Sequence, residues 1–176
     1  MWFAKFALRL FGWTVKCTVP DYPKCIVCVA PHTSNWDFVL GEFAWWSLGR
    51  RAGFLMKDSW FFFPMGLLLR AMGGIPVARG KGKSLTPQLI SKFSDVDRMT
   101  LAIAPEGTRA KVAEWHTGFL RIAVGAKVPV ILGAIDAKTK TVHLEETFVP
   151  TGDIEADMAA IRAYYAPFVG INAENS

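Results

Sequence analysis

Hydrophobic and polar positions along the chain fall into two alternating periods. Short apolar runs at 24–30, 53–56, 75–78, 100–104, 129–135 and 141–146 read as strands. Between them, stretches at 35–48, 60–71, 84–93, 117–125 and 153–164 carry helical patterns. Strands alternating with helices predict an α/β fold, a mixed, largely parallel sheet flanked by helices. In such sheets the chemistry collects in loops beyond the carboxyl ends of strands. There is no internal repeat and no linker long enough to separate a second unit, so residues 1–176 are expected to form a single domain.

The first sixteen residues stand apart. Placed on a helix at about 100° per residue, Lys5, Arg9 and Lys16 fall in one narrow basic stripe. Trp2, Phe3, Phe6, Leu8, Leu10, Phe11 and Trp13 fill most of the remaining surface. This amphipathic N-terminal helix has the composition of one lying in a membrane interface, with lysines toward anionic lipid phosphates; packing into the core is the alternative. Lys5 and Arg9 interrupt the apolar part, and no small-residue cleavage pattern follows, so it does not read as a signal peptide. The longest stretch free of Asp, Glu, Lys and Arg is 25–36, far short of the ~18 apolar residues a spanning helix needs. A peripheral place on the cytoplasmic face of a membrane is therefore expected.

Composition narrows the picture. With 52% hydrophobic and 20% charged residues in 176, the chain can build one continuous core, which excludes intrinsic disorder. The net charge of +5 is unevenly spread. Arg50, Arg51, Lys57, Arg70, Arg79, Lys81 and Lys83 face only Asp58 in their stretch, whereas beyond Thr141 six carboxylates face only Arg162. A basic front and an acidic tail suit an anionic partner met on one side, and a nucleic-acid partner is not expected. Cys17, Cys25 and Cys28 are too few for a disulfide framework, and Cys25 and Cys28 sit within a predicted strand rather than in a zinc knuckle. Reduced thiols fit a cytoplasmic setting.

Two predicted strands run into unusual loops. The first leads into Pro31-His32-Thr33-Ser34-Asn35-Trp36-Asp37, a histidine and a carboxylate five residues apart at the mouth of a helix. Asp37 has two readings: Ser34 to Asp37 fits a capping box, and a carboxylate beside His32 fits base catalysis. The second leads into Pro105-Glu106-Gly107-Thr108-Arg109. Gly107 permits close backbone approach, Thr108 and the loop amides supply donors, and Arg109 offers a planar fork for phosphate oxygens. Glu106 either accepts from a hydroxyl or pairs with Arg109. Lys57, after another strand, is a further candidate for the anionic site or the membrane face. His116 and His143 lack a carboxylate five residues on and read as surface or packing residues.

Four ordered blocks carry a resemblance: Pro31-His32-Thr33-Ser34-Asn35-Trp36-Asp37, Gly74-Ile75-Pro76-Val77-Ala78-Arg79, Ala104-Pro105-Glu106-Gly107-Thr108-Arg109 and Val128-Pro129-Val130-Ile131. The chain resembles the glycerolipid acyltransferase family, of the 1-acyl-sn-glycerol-3-phosphate acyltransferase type. The resemblance implies the glycerol-3-phosphate acyltransferase fold, with His32 as general base and Asp37 as the group that orients it. It further implies that Arg79, Glu106, Gly107, Thr108 and Arg109 bind the phosphate and glycerol of a lysophospholipid acceptor. The donor it implies is an acyl thioester, acyl-CoA or acyl carrier protein, as co-substrate with no cofactor and no metal. Pro31, Ala104 and Ala110 depart from the family's usual Asn, Phe and Ser, and none of these removes a reacting group. A thioester or lipid hydrolase using the same His32 and Asp37, or a non-enzymatic lipid-surface binder, are the rival readings. For oxyanion donors, the backbone amides that open the helix after His32 are the expectation.

Overall fold

The computed structural model describes residues 2–77 and 85–175. Seven strands make one sheet: β1 (Thr14–Cys17), β2 (Lys24–Ala30), β3 (Gly53–Lys57), β4 (Gly74–Val77), β5 (Met99–Ile103), β6 (Val130–Asp136) and β7 (Thr141–Phe148). Their order is β1-β7-β6-β2-β5-β3-β4. The five strands from β6 to β4 run parallel, β7 returns antiparallel on β6, and β1 lies parallel to β7. This is the expected mixed, largely parallel sheet.

Helices cover both faces, and this is why the inner strands read as unbroken apolar runs. The helices are α1 (Trp2–Leu10), α2 (Asn35–Ser47), α3 (Met65–Ala71), α4 (Leu85–Ser94), α5 (Gly118–Ala126) and α6 (Ile154–Tyr165). The period of two in β2 divides the core. Ile26, Cys28 and Ala30 pack with Leu89 and Phe93 of α4, Phe119 and Leu120 of α5, and Met158 and Ile161 of α6. Cys25 and Val27 pack with Leu8 of α1 and Leu40, Ala44 and Trp45 of α2. Cys25 and Cys28 are thus buried free thiols on opposite faces, and burial pushes the Cys28 thiol up to about 12.

Two segments correct the sequence reading. The helix of 1–16 stops at Leu10, because Gly12 adopts φ 74°, and residues 14–17 become the edge strand β1 paired with β7. The remaining α1 packs by one side only. Ala4, Ala7 and Leu8 are buried against α2, while Trp2, Phe3, Phe6 and Leu10 face solvent, as does Phe11 beyond its end. The second segment, 60–71, is not one helix but a 3-10 turn, Asp58–Trp60, followed by α3. Pro64 sits at the N-cap of α3, and a residue preceding proline is pushed out of the helical region, so the helix cannot reach back past it. Trp60, Phe62, Phe63, Leu67 and Leu68 stay exposed. Among the described residues no helix is long and apolar enough to cross a membrane.

Candidate active site

β2 ends at Ala30, and a cis Ala30-Pro31 bond leads the chain to His32 at the carboxyl edge of the sheet. Ser34 then caps α2, its hydroxyl accepting from the Trp36 amide at 3.2 Å. Asp37 closes the capping box from inside the first turn and is only 1% exposed. Its Oδ2 accepts from the amides of Thr33 and Ser34, each at 2.7 Å, and lies 3.3 Å from His32 Nδ1. The two readings of Asp37 therefore coincide in one oxygen: the atom that caps the helix also faces the imidazole. With Nδ1 turned to a carboxylate, the lone pair is left on Nε2, and the ring keeps 22% of its surface open.

The neighbouring strand supplies the opposite wall. β5 lies directly beside β2, so its loop, Pro105 to Arg109, emerges next to His32. Glu106 Oε2 accepts from the His32 amide at 2.7 Å, which fixes the backbone that carries the imidazole. Burial raises the Glu106 carboxyl above its ordinary value, against the His32 amide, which pulls the other way. Arg109 donates to Asn35 Oδ1 at the start of α2, and the alternative reading of Glu106, an ion pair with Arg109, does not form among the described residues. Gly107 takes φ 67°, and an added Cβ would lie 2.7 Å from the His116 ring, which packs against it. Thr108 is exposed, its hydroxyl accepting from the Ala110 amide at 3.4 Å.

The structure thus brings His32, Asp37 and Glu106 into direct contact and sets Gly107, Thr108 and Arg109 beside them. Lys57 ends β3 at the same edge of the sheet and is exposed. Arg79 lies outside the described residues. Of the backbone amides around the start of α2, those of Thr33 and Ser34 are taken by Asp37 and that of Trp36 by Ser34.

Sequence reasoning missed Asn172. Its amide donates to Thr33 Oγ1 at 3.0 Å and its side chain to the Thr33 carbonyl at 2.8 Å, tying the end of the chain to the residue after His32. Tyr165 of α6 adds a second tie, donating to the Cys28 carbonyl of β2 at 2.6 Å. Pairings this far apart in sequence leave no local signal.

A solvent-open imidazole with its second nitrogen on a buried carboxylate can take a proton from a hydroxyl. An arginine fork close by can hold an anion. The acyltransferase family model matches residues 15–135, which span both loops and the strands that present them. The chain belongs to the acyltransferase family. The acyltransferase sheet also resembles a solved structure, the 1-acyl-sn-glycerophosphate (LPA) acyltransferase PlsC from Thermotoga maritima. The TM-score is 0.61 at 19% identity, covering 92% of this chain and 75% of that one. Comparison with curated proteins finds no match. This acyltransferase shares its α/β fold with PlsC.

Proposed function

We propose that the enzyme moves a fatty acyl group from a thioester to a hydroxyl of a lysophospholipid, most simply 1-acyl-sn-glycerol-3-phosphate, in phospholipid biosynthesis. One observation carries the reading: His32, held by Asp37 Oδ2, opens its free nitrogen next to a loop that presents Arg109. An alcohol is far too weak an acid for imidazole to ionise beforehand. His32 therefore takes the proton as the oxygen attacks the thioester carbonyl, and the imidazolium that forms is stabilised by Asp37. The new C–O bond replaces the C–S bond, and the proton passes from His32 to the departing thiolate. Arg109, with the Gly107 and Thr108 turn, holds the acceptor's phosphate, and Lys57 adds positive charge at the same edge.

The acceptor is a lipid, and the molecule has a surface to meet it. Trp2, Phe3 and Phe6 of α1, Trp36 and Phe38 of α2, and Trp60, Phe62, Leu67 and Leu68 around α3 all expose apolar rings or chains. Monomeric proteins rarely leave so many uncovered together. Lys5, Arg9, Arg50 and Arg51 lie on or beside the same elements and suit anionic lipid. Trp36 and Phe38 stand beside Asp37 on α2, so this surface reaches the His32 loop.

The test is product identification. Radiolabelled acyl-CoA and acyl carrier protein are offered to the enzyme on vesicles, with lysophosphatidate or with glycerol 3-phosphate as acceptor. A labelled two-chain phosphatidate from lysophosphatidate supports the proposal. Labelled free fatty acid without acceptor would assign a hydrolase instead.

A further inference from the structure

A cavity of about 180 Å³ lies against the catalytic loop on the side of α5 and α6. Its inner wall is Pro31 and Glu106, one residue from His32 and bonded to its amide respectively. Trp115, Arg162 and Phe168 line it as well. The Arg162 guanidinium lies over the Trp115 ring at 5.8 Å from its centroid and is exposed. It forms no ion pair among the described residues. It is also the lone Lys or Arg beyond Thr141, set among six carboxylates.

Acyl transfer brings two substrates to one imidazole, and Arg109 serves only one of them, turned as it is toward Asn35 and α2. That side carries the exposed apolar residues of α1 and α2 and suits a lipid. The cavity side differs: neither α6 nor the 110–116 segment exposes a large apolar residue. It presents an aromatic wall and the Arg162 guanidinium, with the Glu106 carboxyl on the inner side. A fatty chain gains nothing from a guanidinium, whereas a thiol-bearing arm ending in a phosphate ester matches both the apolar wall and the positive charge. The volume is below the ~300 Å³ of sites that enclose a whole small molecule, so it takes only one portion of such a donor.

We infer that this cavity binds the phosphate-bearing arm of the acyl thioester, with Arg162 as its anion-binding residue. The inference rests on the acyl-transfer reading above. The two sources of that chemistry are free coenzyme A and a carrier protein's prosthetic group.

The experiment compares wild type, Arg162→Ala and Arg162→Lys in two ways. Steady-state transfer is measured with the thioester and the acceptor varied separately, for acyl-CoA and for acyl carrier protein. Equilibrium binding of coenzyme A alone is measured by calorimetry without acceptor. Arg162→Ala should raise the thioester KM about ten- to hundredfold, as expected for losing a charge-assisted contact, and leave the acceptor KM within about twofold. Arg162→Lys should recover some of this, keeping the charge without the fork. A rise with both donors assigns the shared phosphopantetheine phosphate, and a rise with acyl-CoA alone assigns the nucleotide phosphates; either upholds the subsite. A rise in the acceptor KM instead, or no change in either, overturns it. Should wild type transfer nothing, coenzyme A binding that Arg162→Ala weakens would keep the subsite while the transfer reading falls, and no binding would remove the subsite. Arg162→Gln, which retains the stem over Trp115, replaces the alanine variant if that variant fails to unfold cooperatively.

Discussion

Asp37→Asn separates the two duties of one oxygen. The asparagine oxygen can occupy the place of Oδ2 and keep the bonds to the Thr33 and Ser34 amides. Its amide nitrogen then falls where Oδ1 sits, a buried position with no partner. Neutral acceptors in place of charged ones, with one unsatisfied buried donor, cost about 2–4 kcal/mol of stability. The catalytic cost is reckoned from the 3.3 Å gap between Oδ2 and Nδ1. A unit charge pair at that distance and an effective dielectric near 20 interacts by about 5 kcal/mol, and the open edge of the ring leaves about 4. Removing that stabilisation of the imidazolium lowers kcat by about a thousandfold. Ser34→Ala removes only the cap, costing about 1 kcal/mol and leaving kcat within a few-fold. Thiol release gives the rates and denaturant unfolding gives the stabilities. If the two variants lost similar activity, or Asp37→Asn lost less than about tenfold, Asp37 would be a cap and nothing more.

Three further expectations can be checked with the same preparations. Glu42 on α2 is 6% exposed with Oε2 unpartnered, and burial raises its carboxyl to about 7, so the folded state holds a proton that the unfolded chain gives up near 4.5. Stability is whole below about 4.5 and falls as pH rises toward 7; Glu42→Gln should gain about 2 kcal/mol over wild type at pH 8 and nothing at pH 4, and a gain independent of pH would refute this. Asn172→Ala keeps the backbone bond to the Thr33 hydroxyl but strands the Thr33 carbonyl in a nearly closed site, so it should cost about 1–3 kcal/mol in unfolding and lower kcat more than it raises KM; unchanged kcat would confine Asn172 to stability. Arg109→Lys should raise the acceptor KM by about tenfold, because an ammonium lacks the fork, and equal kinetics at limiting acceptor would deny the phosphate role.

The strands and their face-to-face alternation were legible because each inner strand is an apolar run bounded by turn residues. β2 lies at Lys24–Ala30 as the pattern implies, and β6 and β7 differ from it only at their ends. What escaped was decided by single residues or by distant partners. Gly12 ends α1 through a left-handed turn, yet the apolar pattern carries through Trp13 and Val15, so β1 is hidden in a helical period. Its pairing with β7 is visible only once both are folded. Pro64 was a local signal that the 60–71 pattern should have yielded to.

The site divides in the same way. His32, Asp37, Glu106 and Arg109 stand out because two strand ends deliver them to one edge. The exclusive use of Oδ2 by two amides and an imidazole is a matter of rotamer, and no spacing encodes it. The burial of Glu42 on α2 follows from packing and has no local signal in the sequence. The Asn172 clamp on Thr33 joins residues 139 apart, which leaves no periodic trace.

The most direct measurement is thiol release from an acyl thioester by wild type and His32→Ala, on anionic vesicles, with and without lysophosphatidate. The account predicts release by wild type only when the acceptor is present, and a loss of at least about a hundredfold in His32→Ala, the lower end of what base catalysis supplies. Acceptor-dependent release that survives in His32→Ala at near the wild-type rate would contradict it.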